Sequence, residues 1–188
     1  MAKTLLDIDP HGTPVNRPGF HVLGNADICE QATVSQWAWV EGNVQIYGDA
    51  QVSGHARVSD YANVSQEAQI RDSAWISGNA SVWGHAQVYG NAQVYGSARV
   101  RHHAQVSGDA QVYGDALVML QASVKGNARV YGQAIVRDEA TIDGNACLEG
   151  KAVVSGTSHV GGTAKLLGGI WRNQNVFEGT WLSPGSPA

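Results

Sequence analysis

The sequence predicts a single all-β domain, a parallel β-helix built from an unbroken six-residue repeat, and three observations predict it. Stepping by six from Ile28 to Leu166 meets 24 positions, and every one holds Val, Ile or Leu. Two residues before each of these positions stands Ala, except at Val44 and Ser158. Two residues after them, 16 of the 24 positions are Gly, and no insertion interrupts the frame.

The alternation Ala-x-Val explains why each repeat forms a short strand. Side chains two residues apart point to the same face of a strand, so the Ala and the aliphatic residue share one interior. The Gly, usually followed by Asn, Asp, His or Ser, tolerates the backbone of a tight corner and turns the chain every six residues. A helix is excluded because Gly and β-branched residues recur at a period that does not match 3.6 residues per turn.

The hexad AQVYGS of residues 92–97 resembles the repeats of the hexapeptide-repeat superfamily, and the resemblance covers roughly residues 24–169. Within that superfamily the chain resembles the acetyltransferases with very regular repeats. The resemblance implies a left-handed, three-sided prism with three hexads per coil. The 24 hexads would then make about eight coils, roughly 38 Å long at ~4.8 Å between stacked strands. It also implies a homo-oligomer, with a trimer favoured.

The frame predicts three segments. Residues 1–23, which contain three prolines, form an irregular N-terminal segment over the first coil, and residues 24–169 form the β-helix. Residues 170–188 form a C-terminal cap and a mobile tail, because Arg172 occupies an aliphatic position and apolar residues around it can cover the open end.

Composition excludes several classes of function. The net charge of −4 provides no basic field that would recruit nucleic acid or an acidic membrane. No apolar run approaches ~18 residues and no signal peptide begins the chain, so we expect a cytoplasmic location and no membrane partner. Cys29 and Cys147 fall in distant coils and cannot pair within one chain.

Residues eighteen apart should stack in successive coils. Trp39, Arg57 and Trp75 alternate in one column, which allows cation–π stacking. We interpret this column either as an aromatic platform for a base, sugar or protein, or as cross-strand pairing that shields the ladder. Further outward columns are a tyrosine row on the same side (Tyr95, Tyr113, Tyr131) and a predicted amide ladder on another side (Gln51, Gln69, Gln87, Gln105).

An aliphatic stripe of Leu117, Ile135 and Val153, with Met119 beside it, is predicted on the remaining side. An exposed apolar stripe on a soluble prism should be covered by another part of the chain or by a binding partner. Self-association is one explanation, and a C-terminal segment that folds back over the stripe is the other.

The histidines are the most enzyme-like feature. Glu67, His85 and His103 share one corner column, and the neighbouring residues are Trp83, Arg101 and His102. A carboxylate beside two imidazoles can make a general base. Metal ligation needs three or four converging donors, which a convex corner supplies poorly, so no metal is expected. Solvated corner residues are the alternative.

Two classes of function follow. The first is a rigid binding or scaffold module that presents its faces, or clefts between subunits near Trp83 and Arg101, to a small molecule or a protein. No cofactor is then expected.

The second class, implied by the resemblance, is a CoA-dependent O- or N-acyltransferase that acts at clefts between subunits and uses acetyl-CoA. His85 or His103 would be the base, Glu67 would orient it, and Arg101 would contact an anionic substrate. Such enzymes usually extrude a loop from one coil and add a C-terminal helical region. The sequence shows neither, which favours the first class.

Overall fold

The predicted all-β architecture is confirmed: residues 20–187, which the computed structural model describes, form a three-sided parallel β-solenoid of about nine coils. Each strand pairs in parallel with the strand one coil further along, and over most of the chain the paired residues are eighteen apart, as in Trp39 with Arg57. Within residues 20–187 no helix is long and apolar enough to cross a membrane.

Three sheets form the sides of the solenoid. The first sheet contains the strands His21–Gly24, Trp39–Gly42, Arg57–Asp60, Trp75–Ile76, Gln93–Val94, Gln111–Val112, Arg129–Val130, Cys147–Leu148, Lys165–Leu166, Thr180–Ser183 and Ser186–Pro187. The second contains Asp27–Ile28, Gln45–Ile46, Asn63–Val64, Ser81–Gly84, Arg99–His102, Leu117–Val118, Ile135–Val136, Val153–Ser155 and Ile170–Arg172. The third contains Thr33–Val34, Gln51–Val52, Gln69–Ile70, Gln87–Val88, Gln105–Val106, Ser123–Val124, Thr141–Ile142, His159–Val160 and Asn175–Val176.

The interior consists of the two columns that the repeat predicts. From Ala38 to Leu166 the alanines and the aliphatic residues of the frame are completely buried. The two departures from Ala also point inward, since Val44 is fully buried and Ser158 is 1% exposed. The hydroxyl of Ser158 donates to the carbonyl of Ser155 at 2.8 Å, which satisfies this polar group inside the core.

The corners adopt the left-handed backbone that the glycines predict. Gly96 has φ 71°, and a Cβ added to it would lie 2.9 Å from the nitrogen of Gly114 in the next coil. The same conformation occurs at all eight non-glycine corners of the hexad frame, which are Glu30, Gln36, Asp60, Gln66, Asp72, His102, Leu120 and Asp138. Five of the eight (Glu30, Gln36, Asp60, Asp72 and Asp138) accept a hydrogen bond from the backbone N–H of the next corner glycine.

The C-terminal segment continues the solenoid with shorter steps instead of leaving it. Trp171 pairs with Val154, Val176 with Val160 and Trp181 with Leu166, so the offset falls from eighteen residues to 17, then 16, then 15. The inward residues of this coil are therefore five apart, and Arg172 lies outside the interior because the frame has shortened. Trp171 is 2% exposed and lies edge-on to Trp181.

The ends of the solenoid differ from the boundaries drawn on the sequence. His21–Gly24 pairs along its full length with Trp39–Gly42, so the first sheet begins before residue 24. At the other end Ser186–Pro187 pairs antiparallel with Thr180–Ser183, where the sequence predicted a mobile tail. The predicted N-terminal segment lies, as far as residue 19, outside the described residues.

Candidate functional site

The histidine corner, defined as Glu67, His85 and His103, lies where the second sheet turns into the third. The Nδ1 atom of His85 is 3.1 Å from a carboxylate oxygen of Glu67. The rings of His85 and His103 stack with centroids 4.7 Å apart and an interplanar angle of 3°. The sequence therefore placed these three residues correctly, in a row parallel to the solenoid axis.

Two further residues border the histidine corner and were missed. An open depression of about 440 Å³ is lined by Asp49 and Gln66 in addition to the predicted histidines. Asp49 precedes Glu67 by eighteen residues, so the stacking rule that found the corner also identifies it. The depression has acidic groups at one end and imidazoles at the other, which suits proton transfer better than metal ligation. Within residues 20–187 no group of three or more potential metal-ligating side chains converges.

Arg101 lies beside the histidine corner, between Trp83 and Met119 of the neighbouring coils. Its guanidinium carbon is 5.7 Å from the centroid of the Trp83 ring, and its Nη2 is 3.2 Å from the Met119 sulfur. The Nε atom is buried and has no hydrogen-bond partner among the described residues. No ion pair involves Arg101 in the part of the chain that the structure covers. The half-buried guanidinium therefore has a cation–π contact and a sulfur contact, and no carboxylate beside it among the described residues.

The aliphatic stripe runs along the second sheet as the sequence predicts. Leu117 pairs with Ile135, and Ile135 pairs with Val153. The next residue in the column is Ile170, which is 67% exposed and extends the stripe into the last coil. The C-terminal segment therefore lies beside the stripe, in register with it, and residues 170–187 do not fold back over it.

Another apolar residue next to the stripe was not predicted. Leu120 occupies a corner with φ 63° and is 39% exposed. Leucine rarely adopts this conformation, which favours Gly, Asn and Asp. It follows His102 and precedes Asp138 in the corner column, and this is the single place in the hexad frame where consecutive coils carry non-glycine corners.

The tryptophan groove, lined by Trp39, Glu41, Arg57, Ser59 and Trp75, lies on the first sheet and has a volume of about 330 Å³. The predicted alternation is present, because Arg57 pairs with both tryptophans. The cation–π stacking that the alternation allows does not form here: among the described residues the cation–π contacts are at Tyr89 and Trp83.

The tryptophan rings are held by other partners. The Trp39 indole donates to Glu41 at 3.1 Å, and the Trp75 indole donates to the Ser59 hydroxyl at 3.3 Å. These acceptors stand two residues after Trp39 and Arg57 in the sequence, on the same face of the strands, and this spacing identifies them as neighbours. Rotamers decide which groups bond, and the repeat pattern carries no information on rotamers.

The tyrosine row continues the same face. Tyr95, Tyr113 and Tyr131 stack with centroids 4.8 Å apart and interplanar angles of 3°. The Tyr131 hydroxyl donates to Glu149 at 2.6 Å. This hydrogen bond is the main reason why the pKa of Tyr131 is raised and why the pKa of Glu149 is lowered. Burial raises the pKa of Tyr95 and of Tyr113.

The glutamine column on the third sheet is stacked as predicted, from Gln51 through Gln105. The predicted amide ladder is absent among the described residues, where Gln87 instead accepts a hydrogen bond from Arg71 at 3.1 Å. Axial side-chain bonds form elsewhere, both at corners, as between Asn127 and Asn145, and on strands, as between Asn63 and Gln45.

Comparison with known families agrees with the fold and goes no further. The family described as YdcK beta solenoid repeat matches residues 50–66 and 86–102. The two matched segments include the strands around Gln51 and Arg57 and the strands from Gln87 to His102. No curated protein matches the chain. The chain is thus similar to a β-solenoid repeat protein, and the similarity carries no activity with it.

Proposed function

We propose that this protein is a rigid, non-catalytic scaffold that self-associates through the second sheet and leaves its other faces free for partners. The observation that carries the proposal is the aliphatic stripe, which continues into Ile170 with the same spacing in each coil. The stripe has one aliphatic residue in each coil. The stripe of a second copy therefore has the same spacing between its residues. Such a row can pack against itself over several coils.

Arg101 supports the same face as the interface. Its guanidinium makes a cation–π contact with Trp83 and lies against the Met119 sulfur, and it has no carboxylate partner among the described residues. These contacts offset only part of the cost of half-burying a cation, and a carboxylate from a second copy would lower the rest. The resemblance to hexapeptide-repeat proteins favours a trimer over other assemblies.

The first prediction concerns the assembly itself. We expect a mass in solution of three times the 19.9 kDa chain. Leu117→Asp places a charge in the middle of the aliphatic stripe, where burying it without a partner is unfavourable, and should give single chains. Light scattering or native mass spectrometry measures both. Ser123→Asp is the matched control, because Ser123 has the same half-exposed strand position on the third sheet and should leave the mass unchanged.

Two results would contradict the proposed assembly. One is a wild-type protein with the mass of a single chain. The other is a Leu117→Asp variant that keeps the wild-type mass while circular dichroism shows that it is folded.

A second candidate, the acyltransferase, is favoured by the contact between His85 and Glu67 at 3.1 Å, which suits a carboxylate that orients a base. Against it stands the regular frame, which lacks both the extruded loop and, in residues 20–187, any helical region. The stripe and the unpaired arginine need no catalysis to explain them, and we therefore favour the scaffold.

Acetyl-CoA binding separates the two candidates. The acyltransferase predicts binding at millimolar or lower concentration, with weaker binding in His85→Ala and His103→Ala. The scaffold predicts no heat of binding in calorimetry for any of the three proteins. His55→Ala is a suitable control because His55 is an exposed corner histidine that stacks on Trp37 and lies at another corner. Binding that His85→Ala abolishes and His55→Ala leaves intact would overturn the scaffold proposal.

A further inference from the structure

The tryptophan groove has the layout of a binding site that is already ordered. Trp39 and Trp75 flank it two coils apart, about 9.6 Å by the spacing of stacked strands. Their indole N–H groups are satisfied by Glu41 and Ser59, which fixes the rings without any ligand. Trp75 is 44% exposed. A ligand would therefore meet two apolar ring surfaces whose orientation is already favoured by hydrogen bonds, which lowers the cost of ordering them.

The groove carries one anionic side chain, Glu41, which accepts the hydrogen bond of the Trp39 indole, and one cationic side chain, Arg57. It lies between the two tryptophans, is exposed, and forms no ion pair with any residue in the range 20–187. The planar guanidinium binds carboxylates through two parallel hydrogen bonds, so its natural ligand is an anionic group. Arg129 lies in the same column four coils further along and is likewise exposed and without an ion pair among those residues.

The face between the two arginines suits an extended ligand. The tyrosine row lies there, and Gln93 and Gln111 form the column beside it. The unit of repetition along the axis is one coil, 4.8 Å in the tyrosine row, which is close to the length of one sugar ring in an extended β-linked chain. Sugars pack their C–H faces on aromatic rings and bond their hydroxyls to amide and phenol groups, and this face provides both.

We propose that the outer side of the first sheet, from the tryptophan groove to Arg129, binds an extended acidic polysaccharide. Arg57 and Arg129 bind the carboxylates of its uronic acid units. The sugar chain runs parallel to the solenoid axis, with rings against Trp39 and Trp75 and hydroxyls against the tyrosine row and its glutamines.

Charge distinguishes this ligand from single-stranded nucleic acid, which also stacks on aromatic side chains. A nucleic acid carries one phosphate per nucleotide and needs a continuous basic groove. This face has two unpaired arginines four coils apart, and it also carries Glu41 and Glu149. The protein as a whole has a charge of −4. A polymer with sparse carboxylates fits this surface better than one with a phosphate at every unit.

The binding site does not depend on the proposed assembly, because it uses the first sheet and the aliphatic stripe lies on the second. The experiment is affinity electrophoresis and calorimetry with a hyaluronan octasaccharide, which is a β-linked chain with a carboxylate on every second ring. Cellohexaose is the neutral probe and oligo(dT) is the nucleic-acid probe. We expect the hyaluronan octasaccharide to bind more tightly than cellohexaose and oligo(dT) not to bind. Trp75→Ala and Arg57→Gln should each weaken hyaluronan binding about tenfold.

Matched controls lie on the other faces. Phe177→Ala removes an aromatic residue that is 50% exposed on the third sheet, and Arg172→Gln removes an exposed arginine on the second; both should leave binding unchanged. Leu117→Asp should also bind normally, so that failure of the scaffold proposal and failure of this one are told apart. The proposal is overturned if the hyaluronan octasaccharide does not bind, if Trp75→Ala and Arg57→Gln bind it as the wild type does, or if oligo(dT) binds equally well.

Discussion

At the scale of single residues, the corners explain why so much glycine is needed. A corner residue has positive φ, and its Cβ points at the backbone of the next coil, as the 2.9 Å distance at Gly96 shows. The exceptions are instructive, because most of them use a side-chain oxygen to bond the next corner. Asp60 is an example, with its carboxylate 2.8 Å from the nitrogen of Gly78.

The second prediction separates two costs of a side chain at a corner, which are backbone strain at positive φ and collision of the Cβ with the next coil. Gly96→Ala should lower the free energy of unfolding by about 2–4 kcal/mol, because the alanine is strained at φ 71° and its Cβ collides with the next coil. Gly185→Ala has a similar φ of 76° but no atom within 4 Å of the added Cβ, so its loss should stay near 1 kcal/mol. Urea denaturation measures both. Equal losses would mean that the collision is relieved by a small backbone shift.

Leu120 is the corner residue for which the repeat offers no structural explanation. Its side chain cannot accept a hydrogen bond, and its two stacked neighbours, His102 and Asp138, are also not glycine. This departure falls between the histidine corner and the aliphatic stripe, where we place the interface. Strained residues concentrate at functional surfaces, and an exposed leucine in this conformation fits an interface that needs its apolar side chain.

At the scale of strands, the tyrosine row is linked to acid stability through its last member. The hydrogen bond from Tyr131 lowers the pKa of Glu149, and Lys165 lowers it further at 3.3 Å. A carboxylate with a lowered pKa contributes stability that is present above the ordinary carboxyl pKa and is lost as the pH falls through the lowered value. The sheet should therefore weaken locally in strong acid.

The third prediction follows from that contact. Tyr131→Phe should raise the pKa of Glu149, because the largest cause of its depression is removed. It should also reduce the loss of stability between neutral and acid pH, which a urea series at several pH values measures. NMR titration of the Glu149 carboxyl gives the pKa directly. Tyr113→Phe is the control, since it keeps the ring stack and the Glu149 contact, and a pKa change of the same size in that variant would contradict the account.

The strands and their stacking could be predicted from the sequence, and the orientation of surface side chains could not. Burial of Ala and Val at a fixed period determines the sheets, their register and the columns of residues eighteen apart. The repeat therefore predicted correctly that Glu67 lies next to His85 in the neighbouring coil. The Trp39 indole hydrogen-bonds to Glu41 and does not stack on Arg57, because the side-chain rotamers favour that hydrogen bond. The sequence did not predict the shortened last coil, because its inward residues are five apart and so do not follow the six-residue period. The inward and outward positions still alternate along its strands.

At the scale of the whole molecule, each coil contacts only the coils next to it, so stability is a sum of local terms. The fourth prediction uses this property. Trp171→Ala should remove about 3–5 kcal/mol from the last coils. Hydrogen exchange should then become faster in residues 150–183 and stay unchanged around Val94 and Val112. Trp75→Ala is the control, because Trp75 is exposed and its loss should alter exchange nowhere. Faster exchange along the full length in Trp171→Ala would indicate a single cooperative unit.

The shortened steps of the last coil have a consequence for the growth of fibres. A solenoid ends in backbone N–H and C=O groups that could template another coil, which is how stacked β-structures polymerise. Here the final circuit has a smaller perimeter than a six-residue coil, since its partners are offset by 17, 16 and then 15 residues. A regular coil from another molecule can match one of its sides but not all three at once. The geometry of one turn thus acts against end-to-end polymerisation and helps to keep the prism at a defined length.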